Sequence, residues 1–105
     1  MSVVHVTNEN ELDNILKTNN CLCVLYFTAS WCGPCKMISP YFNDLAQTTH
    51  NCLFIKVDVD ECESLTKLWK VESMPTFIFV KNKNIVQTLN GANKEKLSEM
   101  LKFCL

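Results

Sequence analysis

Cys21-Leu22-Cys23-Val24-Leu25-Tyr26-Phe27 runs without interruption into Thr28-Ala29-Ser30-Trp31-Cys32-Gly33-Pro34-Cys35. The first seven residues are apolar on both faces, the pattern of a strand covered by helices on each side, so they belong in the middle of a sheet. Pro34 stands where the first turn of a helix tolerates proline, and Ile38, Tyr41, Phe42, Leu45 and Ala46 trace one helical face beyond it. Pro40 lies inside that helix and removes one backbone hydrogen bond, which predicts a long bent helix. Two cysteines therefore sit at the junction between a central strand and a helix.

Toward the N-terminus, Asn8-Glu9-Asn10-Glu11 has the form of a capping box, and Leu12, Ile15 and Leu16 follow at helical spacing. Ser2 to Val6 reads as a strand before that helix. Toward the C-terminus, Leu53, Ile55, Val57 and Val59 alternate with Phe54, Lys56 and Asp58 on another strand. Asp60 is then expected to cap a short helix that turns Leu65, Leu68 and Trp69 inward. Thr76 to Val80 and Ile85 to Leu89, joined through Lys81-Asn82-Lys83-Asn84, read as an antiparallel hairpin. Asn93 can cap a final helix whose buried stripe is Leu97, Met100, Leu101 and Cys104. Alternating strands and helices followed by a hairpin and a helix give an α/β class with a mixed sheet.

Composition bounds what such a fold could do. With 105 residues, 48% of them hydrophobic and 20% charged, the chain is long enough for one core, and residues 1–105 are read as a single domain. Net charge is −1 and every basic residue is lysine, so the arginine forks that suit phosphates and base edges are missing and nucleic acid is not expected as a partner. Seven cysteines with a core-sized apolar fraction fit reactive or buried thiols better than a disulfide-stapled scaffold. Met1 to Val6 has no basic flank, and the apolar run from Cys21 to Phe27 is too short to span a membrane, so a soluble cytoplasmic protein is expected, with no membrane contact.

The chemistry lies at Cys32 and Cys35. A thiolate at a helix N-terminus is stabilised by unpaired backbone N–H groups and the positive end of the helix dipole, so Cys32 should ionise readily and act as nucleophile. Cys35 is one turn further on, on the same face, close enough to bridge to Cys32 and better kept as a neutral thiol. Gly33 and Pro34 would permit and stiffen the turn between them. Attack of Cys32 on a substrate disulfide, followed by displacement by Cys35, leaves the protein with its own disulfide. An external reductant must then restore the dithiol, because no glycine-rich phosphate loop is present for a bound nucleotide. Zinc as an alternative needs four ligands, and no second CxxC or histidine pair exists.

With Trp31-Cys32-Gly33-Pro34-Cys35, Phe27-Thr28-Ala29-Ser30, Lys36-Met37-Ile38, Val57-Asp58-Val59-Asp60, Met74-Pro75-Thr76-Phe77 and Gly91-Ala92-Asn93 at matching intervals, the chain resembles thioredoxin over nearly its full length. Animal-type cytosolic members look closest. The resemblance implies a mixed five-stranded sheet flanked by four helices. It also implies no bound cofactor, regeneration by NADPH through thioredoxin reductase, disulfide-containing client proteins and a monomer. A depressed pKa at the first cysteine and a reducing potential are general properties of thioredoxins and enter on the same footing. Pro75 matches the family's cis proline, beside which Met74 would pair its backbone with an extended substrate. Trp31, Met74, Pro75, Gly91 and Ala92 would form an apolar rim around an exposed nucleophile. Asp60 matches a residue that can bond the active-site indole.

The main departure from the family is Tyr26, which stands six residues before the nucleophile where a buried aspartate usually assists proton transfer at the second cysteine. A phenol, titrating near about 10, is a poor base at neutral pH. Lys56 matches the lysine beside that aspartate. If buried without it, Lys56 would lose a charge partner and its pKa should fall. Tyr26 therefore predicts a working but slower or specialised reductant, and it keeps open a second reading, a thioredoxin-fold binding module with low turnover. Lys83 replaces the glycine usual in the hairpin turn, and Asn82 or Asn84 is expected to supply the left-handed residue. Cys21, Cys23, Cys52 and Cys104 are read as core. Cys62 matches a cysteine of animal members and is a candidate for oxidation.

Overall fold

The structure, a computed structural model, describes residues 3–105. In chain order the elements are β1 (Val4–Val6), α1 (Glu9–Thr18), β2 (Leu22–Thr28), α2 (Gly33–Thr48), β3 (Cys52–Asp58), α3 (Glu63–Leu68), β4 (Thr76–Lys81), β5 (Asn84–Asn90) and α4 (Lys94–Cys104). Of the expected first strand, Ser2 lies outside the described residues, and Val3 precedes the observed strand. The five strands form one mixed sheet in the order β1-β3-β2-β4-β5. β3 runs parallel to β1 and β2, whereas β4 is antiparallel to β2 and β5. A mixed five-stranded sheet with four helices is the α/β architecture that the resemblance implies.

β2 is the middle strand, and all seven of its residues are buried. Because side chains alternate across a strand, Cys23, Leu25 and Phe27 face one layer with Leu12 and Leu65. Leu22, Val24 and Tyr26 face the other with Phe42, Phe77, Leu97 and Leu101. Two cores back to back on one sheet require a strand with no polar face, which is the pattern the sequence presents at Cys21–Phe27.

Capping chemistry sets the helix starts. Asn8 Oδ1 accepts the Glu11 N–H at 2.9 Å, while the Glu11 carboxylate reaches one residue past the expected box to the Thr7 N–H at 3.0 Å. Asn93 Oδ1 accepts the Lys96 N–H at the start of α4. α2 continues through Pro40 as one helix, with Cys35, Ile38, Phe42 and Ala46 buried.

Several expectations change. Asp60 does not cap α3: the N-cap residue is Cys62, which makes no side-chain cap bond, and Asp58 Oδ1 organises the preceding turn by accepting the N–H groups of Asp60 and Glu61. The helix starts later than the pattern suggested because that turn occupies Asp58 to Glu61. Leu68, the last residue of α3, is exposed and Trp69, at its C-cap, is half-buried, so Leu65 is the one residue of the helix that is fully enclosed. Cys21, which immediately precedes β2, and Cys104, the last residue of α4, are half-buried. In the hairpin, Asn82 and Lys83 both take positive φ, 51° and 68°, the arrangement of a two-residue type I′ turn. The lysine itself adopts the left-handed conformation, because a two-residue loop needs both central positions there.

Candidate active site

Strand β2 ends at Thr28, and Ala29 and Ser30 lead to Trp31 and the start of α2. Cys32 is the N-cap of α2, with Pro34 in its first turn, and its Sγ accepts the Cys35 backbone N–H at 3.2 Å. One of the orphan donors at the helix start therefore points at the first sulfur. Cys32 and Cys35 are joined as a disulfide, with Cα atoms 5.3 Å apart. Cys32 is 4% exposed and Cys35 1%. The expected exposed nucleophile is thus enclosed here, because the disulfide holds its sulfur against Cys35 and the first helical turn. Exposure at the site comes from large apolar neighbours: Trp31 is 67% exposed and Met37 75%. Gly33 has no positive φ, and a Cβ there would meet nothing within 4 Å, so the turn does not itself require glycine.

The expected rim is spread over three segments. Trp31 Nε1 donates to Asp60 Oδ2 at 2.9 Å, which anchors the exposed indole to the turn after β3. Met74–Pro75 is a cis peptide bond. Met74 is half-buried and packs against the core layer that contains both cysteines, whereas Pro75 is buried. The Gly91 N–H donates to the Pro75 carbonyl at 2.9 Å, and Gly91 takes φ +106°, a conformation that side chains rarely allow. Ala92 is exposed and borders a cavity of about 420 Å³ with Pro34, Met37 and Ile38. Met37 was missed as a candidate site residue from sequence; its signal is that it falls one residue off the buried stripe of α2 beside the motif.

Tyr26 is fully buried, stacked on Phe77 at 4.9 Å between ring centroids and tilted against Phe42 at 4.8 Å. Its hydroxyl lies 3.0 Å from the Cys35 carbonyl and 2.7 Å from Ser39 Oγ, and Ser39 Oγ lies 2.8 Å from the same carbonyl. Two hydroxyl protons are shared among three short contacts, so Tyr26 is tied to the backbone of Cys35 and to the next turn of α2. Ser39 was not a candidate from sequence. Its place one turn after Cys35, with its hydroxyl able to bond the carbonyl four residues back, is the signal.

Lys56 is aligned with Tyr26 across the β2–β3 pair but is exposed, since it lies near the end of β3 where the layer opens. The desolvation expected for a buried Lys56 therefore does not arise. Lys56 and Asp58 instead border a cavity of about 260 Å³ with Cys35, Lys36, Ser39 and Thr28. The remaining thiols differ in kind. Burial, reinforced by neighbouring thiols, pushes Cys52 up to about 12 and Cys23 up to about 11. Cys62, the candidate for oxidation, is 4% exposed with its Sγ 3.6 Å from the Val6 carbonyl, and burial raises its pKa, both of which disfavour reaction there. His5 Nε2 sits 2.8 Å from Glu61 Oε1 at the surface. Among the described residues no group of His, Cys, Asp and Glu is placed to hold a metal ion, and no helix is long and apolar enough to cross a membrane.

Comparison with known proteins places this geometry. The thioredoxin family model matches residues 2–103. Thioredoxin H4 of Arabidopsis thaliana is 55% identical over 77% of this chain and 69% of its own length. Thioredoxin of Equus caballus is 47% identical over 77% of each. The X-ray structure of Fasciola hepatica thioredoxin superposes with a TM-score of 0.96 at 34% identity, covering 98% of this chain and 100% of that one.

Proposed function

The chain belongs to the thioredoxin family and is a protein-disulfide oxidoreductase of that type, and we propose that it works in the reducing direction, with Cys32 as nucleophile and Cys35 as resolving thiol. The observation that carries this reading is the Cys35 N–H aimed at Cys32 Sγ from the first turn of α2, with the second sulfur already within bonding reach. A donor and a helix dipole fixed on one sulfur favour its thiolate without reorganisation.

In the reduced protein the Cys32 thiolate attacks a client disulfide; a mixed disulfide forms and one client sulfur leaves as thiolate, to be protonated by solvent. Cys35 then loses its proton and attacks Cys32 Sγ, the second client thiolate departs, and two electrons have passed from the dithiol to the client. Trp31, Met74, Pro75, Gly91 and Ala92 receive the client segment. The Gly91–Pro75 hydrogen bond and the Trp31–Asp60 bond support this by fixing two sides of the rim before a client arrives. Open space above Gly33 and Gly91 supports close approach of a client backbone. Tyr26 and Ser39 hold the Cys35 backbone in place.

The proposal extends to a cytosolic protein of the animal type that works as a monomer, needs no bound cofactor and is returned to the dithiol by thioredoxin reductase and NADPH. The horse relative supports the animal type, while the identity to the plant H-type relative is higher. Consumption of NADPH with thioredoxin reductase and insulin, abolished by Cys32→Ser, is the expected result. If the intact protein consumes no NADPH and forms no covalent client adduct as Cys35→Ser, the reductase reading fails and a docking module remains.

A further inference from the structure

Resolution of the mixed disulfide requires Cys35 to lose a proton, yet Cys35 is 1% exposed and its neighbour on β2 is a phenol already engaged with the Cys35 carbonyl and Ser39. The cavity of about 260 Å³ beside Cys35 offers another route. Its volume is several times the roughly 30 Å³ that one water molecule occupies in the liquid. Asp58 is the single carboxylate among its lining residues. Asp58 Oδ1 is held by the N–H groups of Asp60 at 2.8 Å and Glu61 at 3.4 Å, which fixes the carboxyl group at the end of β3.

We propose that Asp58 receives the Cys35 proton through water in this cavity and so replaces the carboxylate that Tyr26 displaces. The inference rests on the reductase reading above. Cys35 passes its proton along the cavity to the Asp58 carboxylate, and its sulfur bonds to Cys32 Sγ as the bond from Cys32 to the client breaks. The electron pair leaves on the client sulfur, which solvent protonates, and Asp58 returns its proton to solvent. The charged groups bordering the cavity are Lys36 on α2 and Lys56 and Asp58 on β3; β2 contributes the Thr28 hydroxyl to the lining, while the Tyr26 hydroxyl lies on the Cys35 carbonyl. Two ammonium groups against one carboxylate favour the developing thiolate. Asp58 acts through water, as a relay, and Lys36 and Lys56 set the field.

The test is stopped-flow reaction of the reduced protein with sub-stoichiometric DTNB from pH 6 to pH 9. Each reagent molecule releases two coloured thiolates, the first on attack by Cys32 and the second on resolution by Cys35. Asp58→Asn keeps an oxygen for the Asp60 and Glu61 N–H groups and removes the base. It should slow the second release at least about a hundredfold at pH 7, the lower end of a general-base contribution, leave the first unchanged, and converge on the unmodified protein toward pH 9, where hydroxide can take the proton. Asp58→Glu should recover most of the rate. Equal second-phase rates across the range, or a loss that is the same at every pH and unrecovered by Glu, overturn the relay and leave the reductase reading standing. Absence of a fast first phase in the unmodified protein removes the reductase reading instead. Should Asp58→Asn not fold, Lys56→Gln at its exposed site is expected to slow the second phase severalfold, and an unchanged second phase there overturns the proposal.

Discussion

Tyr26→Phe separates what the phenol does for the fold from what it does for the chemistry. The substitution keeps the ring stacked on Phe77 and packed on Phe42 and deletes only the hydroxyl, which bridges the Cys35 carbonyl and Ser39 Oγ. Ser39 still reaches the Cys35 carbonyl at 2.8 Å, so no buried acceptor is orphaned. The loss is then one ordinary buried hydrogen bond, about 1–1.5 kcal/mol. At about 2.1 cal/mol/K per residue, a chain of 105 residues unfolds with an entropy of about 0.22 kcal/mol/K, which places the fall in Tm at about 5–7 °C. Calorimetry reads that shift, and insulin reduction at 25 °C should change by less than about twofold, because the hydroxyl contacts the carbonyl of Cys35 rather than its sulfur. An unchanged Tm, or a rate loss of about tenfold with Tm intact, would refute this reasoning. Tyr26→Asp looks like the direct test of the missing base, yet it empties the space between Phe42 and Phe77 at about 3–5 kcal/mol and buries a carboxylate with no cation shown to reach it. Lost activity in that variant would report unfolding as readily as chemistry.

Lys83→Gly should stabilise the hairpin, since it removes about 1–2 kcal/mol of left-handed strain and returns about 0.5–1 kcal/mol in chain entropy. A rise in Tm of about 2–5 °C with unchanged activity is expected, and no rise would mean that the turn tolerates lysine without strain. Cys52 and Cys23 titrate higher in the folded chain than the ordinary 9.0, so their contribution to stability is full below about pH 9 and is lost as pH rises toward about 11 and about 12. Denaturant midpoints should therefore fall above pH 9, and they should fall less in Cys52→Ala, measured against its own value at pH 7. Native Cys23 and Cys52 should also resist iodoacetamide at pH 8 and react once the chain is unfolded.

What could be read from sequence was whatever depends on local order along the chain. The uninterrupted apolar run at Cys21–Phe27 demands cover on both faces, Pro34 and the cysteines mark a helix start, and Asn8 and Asn93 cap by bonding residues three positions away. These interactions close within one strand or one turn, so spacing suffices to place them. Lys56, Asp58 and Asp60 were harder because their roles depend on what lies across the fold. Lys56 is exposed because the layer opens at the end of β3, Asp60 bonds an indole that is 29 positions away instead of its own helix, and Asp58 meets Cys35 across a cavity between β3 and α2. Whether a charge is buried, paired or left facing a thiol is set by the layer that closes over it. The order of residues set the sulfur pair and its helix; packing of β3 against α2 decided which carboxylate borders the same cavity as Cys35.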